Sequence, residues 1–203
     1  MSWLSDNIQS SGNFTIIVTD DASITPSLLG FDYPVTITIK SDNAGSYTIR
    51  LSEQGSLFTI NNNVTLKLEN ITLQGLHTNG TDGAENNSPL VYIASGGTLI
   101  MNNGSKITGN TNSNSDGGGV FVDSFGTFYI SDGIVYGNDE DDDSLKNKAA
   151  NGAALYAPDA ANSTAKFGPS PYFPGSGTDL LSPGASEINT TIKVENGQRK
   201  NIP

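Results

Sequence analysis

The stretch Pro89-Leu90-Val91-Tyr92-Ile93-Ala94-Ser95-Gly96-Gly97-Thr98-Leu99-Ile100-Met101-Asn102-Asn103-Gly104-Ser105-Lys106-Ile107-Thr108-Gly109-Asn110 decides the fold. It holds two short apolar runs, Leu90 to Ile93 and Thr98 to Met101, with Ser95-Gly96-Gly97 turning between them. It closes on Lys106-Ile107-Thr108-Gly109-Asn110. Short β-branched and aromatic runs bounded by glycine-rich turns read as strands. Much of the chain repeats this unit. Aligned on Thr65, Thr98 and Thr127, the positions Phe58, Val91 and Val120 coincide, as do Ile60, Ile93 and Val122. Beyond the threonines, Leu66 matches Leu99 and Phe128, and Leu68 matches Met101 and Ile130. A third apolar position follows at Leu73, Ile107 and Val135, each with a glycine two residues later, Gly75, Gly109 and Gly137.

None of these runs can bury its inner face alone. Stacking equivalent runs in parallel and in register buries one continuous column. Each fully buried aliphatic side chain is worth roughly 1.5–3 kcal/mol, and several per coil offset the entropy of ordering a glycine-rich chain. The repeat therefore predicts an all-β, single-stranded, right-handed parallel β-helix. Val91, Ile93, Leu99, Met101 and Ile107 face inward, and Tyr92 and Ile100 face outward. The glycines are expected at turns that need positive φ. Asn110 and Asn138 are expected to form a short amide ladder. Length variation falls at one vertex, in the polar segments Thr78 to Ser88, Thr111 to Asp116 and Asp139 to Asn151, which read as extruded loops.

Open solenoid ends need caps. Ser2 to Ser10 reads as a short amphipathic helix with Trp3, Leu4 and Ile8 on one face, so residues 1–12 are assigned to an N-terminal helical cap. Coils occupy 13–157, beginning with strands at Phe14 to Val18, Val35 to Lys40 and Tyr47 to Leu51. Ala153 to Ala157 echoes Gly119 to Asp123, and Thr164 to Phe167 echoes Thr127 to Ile130. After Gly168 the period fails, apart from a strand expected at Thr190 to Val194. Residues 158–203 read as a partial coil with an irregular C-terminal cap or tail.

Composition narrows the class. Net charge is −11, from 21 acidic and 10 basic residues, and no basic cluster breaks the acidity. Nucleic acid and anionic lipid, which bind through Lys and Arg, are excluded as partners on this reading. The chain has no cysteine, so neither disulfides nor thiolate metal sites arise. No apolar run approaches the roughly 20 residues of a membrane-spanning helix, and no membrane insertion is expected. Met1 to Ser5 lacks the basic and apolar regions of a signal peptide. The chain reads as soluble, either cytoplasmic or exported and processed.

Gly117-Gly118-Gly119-Val120-Phe121-Val122, then Gly126-Thr127-Phe128-Tyr129-Ile130-Ser131-Asp132-Gly133 and Gly137-Asn138, resembles the repeat of bacterial right-handed parallel β-helix surface proteins. That group includes adhesins, lipoproteins and autotransporter-like passengers of the pectate-lyase-like superfold, and the likeness covers about residues 3–157. The resemblance implies an extracellular or cell-surface setting and a non-enzymatic module that contacts a host or matrix glycan or protein. A carbohydrate-active enzyme of the same superfold, a polysaccharide lyase or glycoside hydrolase, is the second reading. A structural spacer is the third.

The residues themselves name no reaction and no cofactor. Asp139-Glu140-Asp141-Asp142-Asp143 offers carboxylates at Asp139, Asp141 and Asp143 for a hard cation, but the run reads more simply as a solvated loop. Enzymes of this superfold need converging acids, or a base with Ca²⁺, on one wall. Lys67 and Glu69 share a face, yet their counterparts are Ile100 and Asn102. His77, the only histidine, is expected to be exposed. The outward positions are more informative. Tyr92 and Phe121 align on one outer face, Ile100 and Tyr129 on another, and together they make an apolar strip. It is either a contact surface for a glycan or protein or the seat of the tail, whose Tyr172, Phe173, Leu180 and Leu181 need partners.

Overall fold

The computed structural model describes residues 7–42, 45–77 and 85–200. The chain runs through short strands in a cyclic order. The first circuit is β1 (Gly12–Val18), β2 (Ala22–Ile24) and β3 (Ser27–Leu29), and the second is β4 (Val35–Ser41), β5 (Tyr47–Leu51) and β6 (Phe58–Ile60). The third is β7 (Val64–Glu69), β8 (Ile71–Gln74) and β9 (Val91–Ile93). The fourth is β10 (Thr98–Asn102), β11 (Ser105–Thr108), β12 (Thr111–Asn112) and β13 (Val120–Val122). The fifth is β14 (Thr127–Ile130), β15 (Gly133–Val135), β16 (Lys148–Ala149) and β17 (Leu155–Tyr156). A last parallel strand, β18 (Thr164–Phe167), is followed by β19 (Thr178–Asp179), β20 (Glu187–Ile188), β21 (Ile192–Glu195) and β22 (Gln198–Lys200).

Successive circuits stack strand on strand. The first sheet has the order β1-β4-β7-β10-β14-β18-β19, the second β2-β5-β8-β11-β15-β21-β22, and the third β3-β6-β9-β13-β17-β20. Pairing is parallel until the last strands. The repeat alignment is the register: Thr65, Thr98 and Thr127 pair directly, as do Phe58, Val91 and Val120, and Leu73, Ile107 and Val135. All five residues expected inward, Val91, Ile93, Leu99, Met101 and Ile107, are fully buried in one core. Alternation is cleanest in β4, where Val35, Ile37 and Ile39 are buried and Thr36, Thr38 and Lys40 are half-exposed.

Several expectations change. The helix over Ser2 to Ser10 falls largely outside the described residues, and Ile8 to Ser10 are not helical. Ile8 is nevertheless buried, and its carbonyl accepts a hydrogen bond from the Tyr33 hydroxyl at 2.7 Å. The strands β2 and β3 are not apparent in the sequence because each is too short to show a period. In the fifth circuit the true partner of Val120 is Leu155, not Ala154, so Tyr156 lies opposite Phe121. Gly152 at φ +67 stands opposite Gly117 at φ +76, and the register runs unbroken from this pair into the strands. Of the three repeat glycines only Gly109 has positive φ. At Gly75 and Gly137 the reason is space: a Cβ would lie 2.3 Å from Asn110 Oδ1 and from the Asn189 carbonyl.

The vertex between the second and third sheets is not simply extruded. Its Thr78 to Ser88 segment lies partly outside the described residues, but β12 and β16 pair there in parallel. Asn110, Thr111, Asn112 and Asn147 are buried. The amide ladder uses Asn86, Asn110 and Asn147 rather than Asn138, which is exposed. Asn86 Nδ2 donates to Asn110 Oδ1 at 2.9 Å, and the Asn110 backbone N–H donates to Asn147 Oδ1 at 3.0 Å. These amides satisfy backbone groups that a tight corner leaves unpaired.

The C-terminal segment is more regular than its sequence suggests. Antiparallel strands close each sheet: β19 on β18, β20 on β17, and β21 on β15 with β22 beyond it. Reversed strands end the parallel repeat. The outermost, β22, is exposed and carries Arg199 and Lys200, which blunts a sheet edge.

Candidate functional site

The third sheet turns one row of side chains outward: Leu28, Thr59, Tyr92, Phe121 and Tyr156, one from each circuit. Parallel in-register pairing puts equivalent side chains directly above one another, and here the last three are aromatic. The Tyr92 and Phe121 rings stack with centroids 5.1 Å apart and planes at 21°. Phe121 and Tyr156 follow at 5.5 Å and 55°. All three are half-exposed.

Carboxylates flank the ladder. Tyr92 donates its hydroxyl proton to Asp123 Oδ2 at 2.7 Å. Burial, with that carboxylate beside it, pushes the Tyr92 phenol up to about 12. Burial and the nearby carboxylates of Asp116 and Glu187 also raise Tyr156. The backbone braces these acids: Ser124 N donates to Asp123 Oδ1 at 2.8 Å, and Gly152 N to Glu187 Oε2 at 2.7 Å. The rings turn their faces largely toward one another, so the row presents apolar ring edges bordered by fixed hydrogen-bond acceptors. Tyr156 was not singled out by sequence, because the fifth-circuit alignment placed Leu155 opposite Phe121. The signal that finds it is Gly152 at the entry to the strand.

The other half of the expected strip has a different fate. Ile100 and Tyr129 do occupy the outer face of the first sheet, between Lys67 and Lys166. Yet Ile100 is only 4% exposed and Tyr129 0%. Both lie outside the main core, so something covers them from without. For Tyr129 it is the segment after β18. Tyr172 packs on the Tyr129 ring at 4.7 Å, and the Tyr129 hydroxyl donates to the Pro169 carbonyl at 3.0 Å. The fit is close: a Cβ on Gly168 would sit 2.4 Å from the Tyr129 hydroxyl, and one on Gly177 2.8 Å from its ring. Thus Tyr92 and Phe121 remain at the surface, whereas Ile100 and Tyr129 do not. Of the other tail residues, Leu180 enters the core, Leu181 packs against it, and Phe173 stays 63% exposed.

The acidic run is spread out by its own contacts. Asp139 Oδ1 accepts from the Thr191 N–H and hydroxyl at 2.7 and 2.8 Å. Asp143 pairs with Lys146 and Lys148, each at 3.1 Å, while Asp141 is exposed. Among the described residues no group of three or more His, Cys, Asp or Glu is placed to hold a metal ion. His77, expected outside, is buried at 2% exposure. Burial first, and then Lys148, lowers its pKa against the opposing pull of Asp143 and Asp142.

Comparison with protein-family models, with curated proteins and with solved structures found no match. The ladder is therefore judged by its geometry. A separate cleft of about 830 Å³ opens at the C-terminal end, lined among others by Pro158, Asp159, Leu181, Pro183 and Arg199. The Arg199 guanidinium spends one donor there on the Leu180 carbonyl at 3.2 Å.

Proposed function

We propose that the protein is a non-enzymatic interaction module, built as a right-handed parallel β-helix, whose Tyr92–Phe121–Tyr156 ladder binds an extended glycan. The cyclic visiting of three parallel sheets supports the architecture. The observation that carries the function is the in-register aromatic row with Asp116, Asp123 and Glu187 at its edges. Sugar C–H groups pack against the exposed apolar edge of the ring row, and sugar hydroxyls donate to carboxylates. Tyr and Phe supply contact area at low entropic cost. Three half-exposed rings do not provide the apolar centre of a protein interface of about 800 Å² per partner. With net charge −11 the partner is a glycan free of anionic groups. The proposed setting, a bacterial cell surface, rests on the resemblance of the Gly117 to Asn138 repeat to those of surface proteins.

The test is calorimetric titration with cellohexaose, a glucosamine hexamer and an oligogalacturonate of equal length. Wild type is expected to bind one of the first two, and Phe121→Ala to weaken that binding at least about tenfold, or about 1.4 kcal/mol. The oligogalacturonate is expected to bind worst. Equal binding by Phe121→Ala overturns the ladder as a site. Release of reducing or unsaturated ends, abolished by Asp123→Asn, replaces the binding module with an enzyme.

A further inference from the structure

We infer that Phe125 is a contact residue for the same glycan, carrying the binding surface from the ladder around the corner into the first sheet. The inference rests on the ladder reading. Phe125 sits in the turn Asp123-Ser124-Phe125-Gly126 between β13 and β14. The turn one circuit earlier, Ala94-Ser95-Gly96-Gly97, has the same length, so Phe125 lies over Gly96, and Gly96 N donates to the Phe125 carbonyl at 3.1 Å. In the circuit before that the equivalent residue is Asn63. All three are left-handed: φ is +66 at Asn63, +75 at Gly96 and +63 at Phe125. Asn and Gly tolerate that conformation, whereas a bulky side chain is strained in it.

Little burial is gained in exchange, for Phe125 is 65% exposed. A strained backbone persists only where its surroundings over-determine it, and here they do. Phe125 N donates to the Asn162 carbonyl at 3.2 Å and Gly126 N to the Asp123 carbonyl at 2.9 Å. Ser124 Oγ donates to Asp159 Oδ2 at 2.8 Å, and Asn162 Nδ2 donates to both Asp159 oxygens. Asp123 joins this turn to the ladder, since one oxygen holds Ser124 N and the other holds the Tyr92 hydroxyl. The backbone that carries an exposed aromatic ring is thus fixed where Gly or Asn would be easier, and one carboxylate ties that turn to the aromatic row. The side chains fixed around it, Asp123 and Asp159, are acceptors for sugar hydroxyls and repel anions. A glycan without anionic groups, leaving the ladder at Phe121, meets Phe125 next.

The test compares wild type, Phe125→Asn, Phe125→Trp and Phe121→Ala by titration with cellohexaose and the glucosamine hexamer, and by thermal unfolding. Phe125→Asn is expected to keep or raise the unfolding midpoint while weakening binding at least about tenfold. Phe125→Trp is expected to retain binding. Loss of binding in Phe121→Ala with none in Phe125→Asn overturns the inference and leaves the ladder standing. Wild type that binds neither probe overturns both. A lower midpoint for Phe125→Asn assigns the ring a packing role instead and also overturns it. So does a wild-type dimer in sedimentation that Phe125→Asn dissolves, which makes the ring a contact between copies.

Discussion

At the scale of single residues, inner and outer positions of one strand differ sharply in what they tolerate. Leu99 is fully buried in the core, while Thr59 lies half-exposed on the outer row. Leu99→Asp leaves a buried charge without a partner and is expected to prevent folding or cost several kcal/mol, whereas Thr59→Asp stays in water. Denaturant titration of the two variants checks this, and equal losses would contradict the face assignment. His77 gives a second prediction, in pH. Its folded pKa lies below the unfolded value of 6.5 because burial disfavours the imidazolium. Below about pH 6.5 the unfolded chain therefore binds a proton that the folded chain resists, and stability falls as pH falls. Carboxylates titrate lower, so the window from pH 7.5 to about 5.5 isolates the histidine. Unfolding midpoints of wild type are expected to drop across that window, and those of His77→Leu to stay flatter.

At the scale of elements, the segment after β18 acts as a strap over the first sheet. Removing the whole C-terminal region would not isolate that role, because Leu180, Ile188, Ile192 and Val194 belong to the core. A single substitution does. Tyr172→Ser removes the ring packed on Tyr129 and leaves the closing strands in place. It is expected to raise binding of a dye that reports exposed apolar surface, with little change in strand content. Unchanged dye binding would mean that Tyr172 is not what covers this face. The same comparison explains why the four residues expected as one strip divide. Equivalent side chains stack into rows on each sheet, but a row becomes a site only if no later segment lies on it. Tyr129 receives the strap, and the row of Tyr92 and Phe121 stays half-exposed.

At the scale of the whole molecule, the chain behaves as a stack whose order is written locally and whose ends and surfaces are not. The alignment on Thr65, Thr98 and Thr127 was legible because each of those circuits repeats the same inward apolar types. The fifth circuit slipped by one residue in the sequence alignment, since Ala153, Ala154 and Leu155 are all acceptable inside and only backbone pairing chooses among them. Asn110 was legible as a ladder amide, but its partners Asn86 and Asn147 looked like loop residues, because an asparagine has the same composition signal whether it meets water or a backbone corner. His77 misled for the same reason. Net charge, which needs no coordinates, already weighs against nucleic acid and anionic lipid as partners. Thus the sequence alone determined the all-β class, the register of the middle circuits and the faces of their strands, because period-two burial is a local constraint repeated many times. Only the tertiary structure decided which outer row stays open, that Tyr156 completes it, and that Phe125 is held strained beside it. Those facts depend on contacts between circuits and on where the last segment folds back, and no local pattern encodes either.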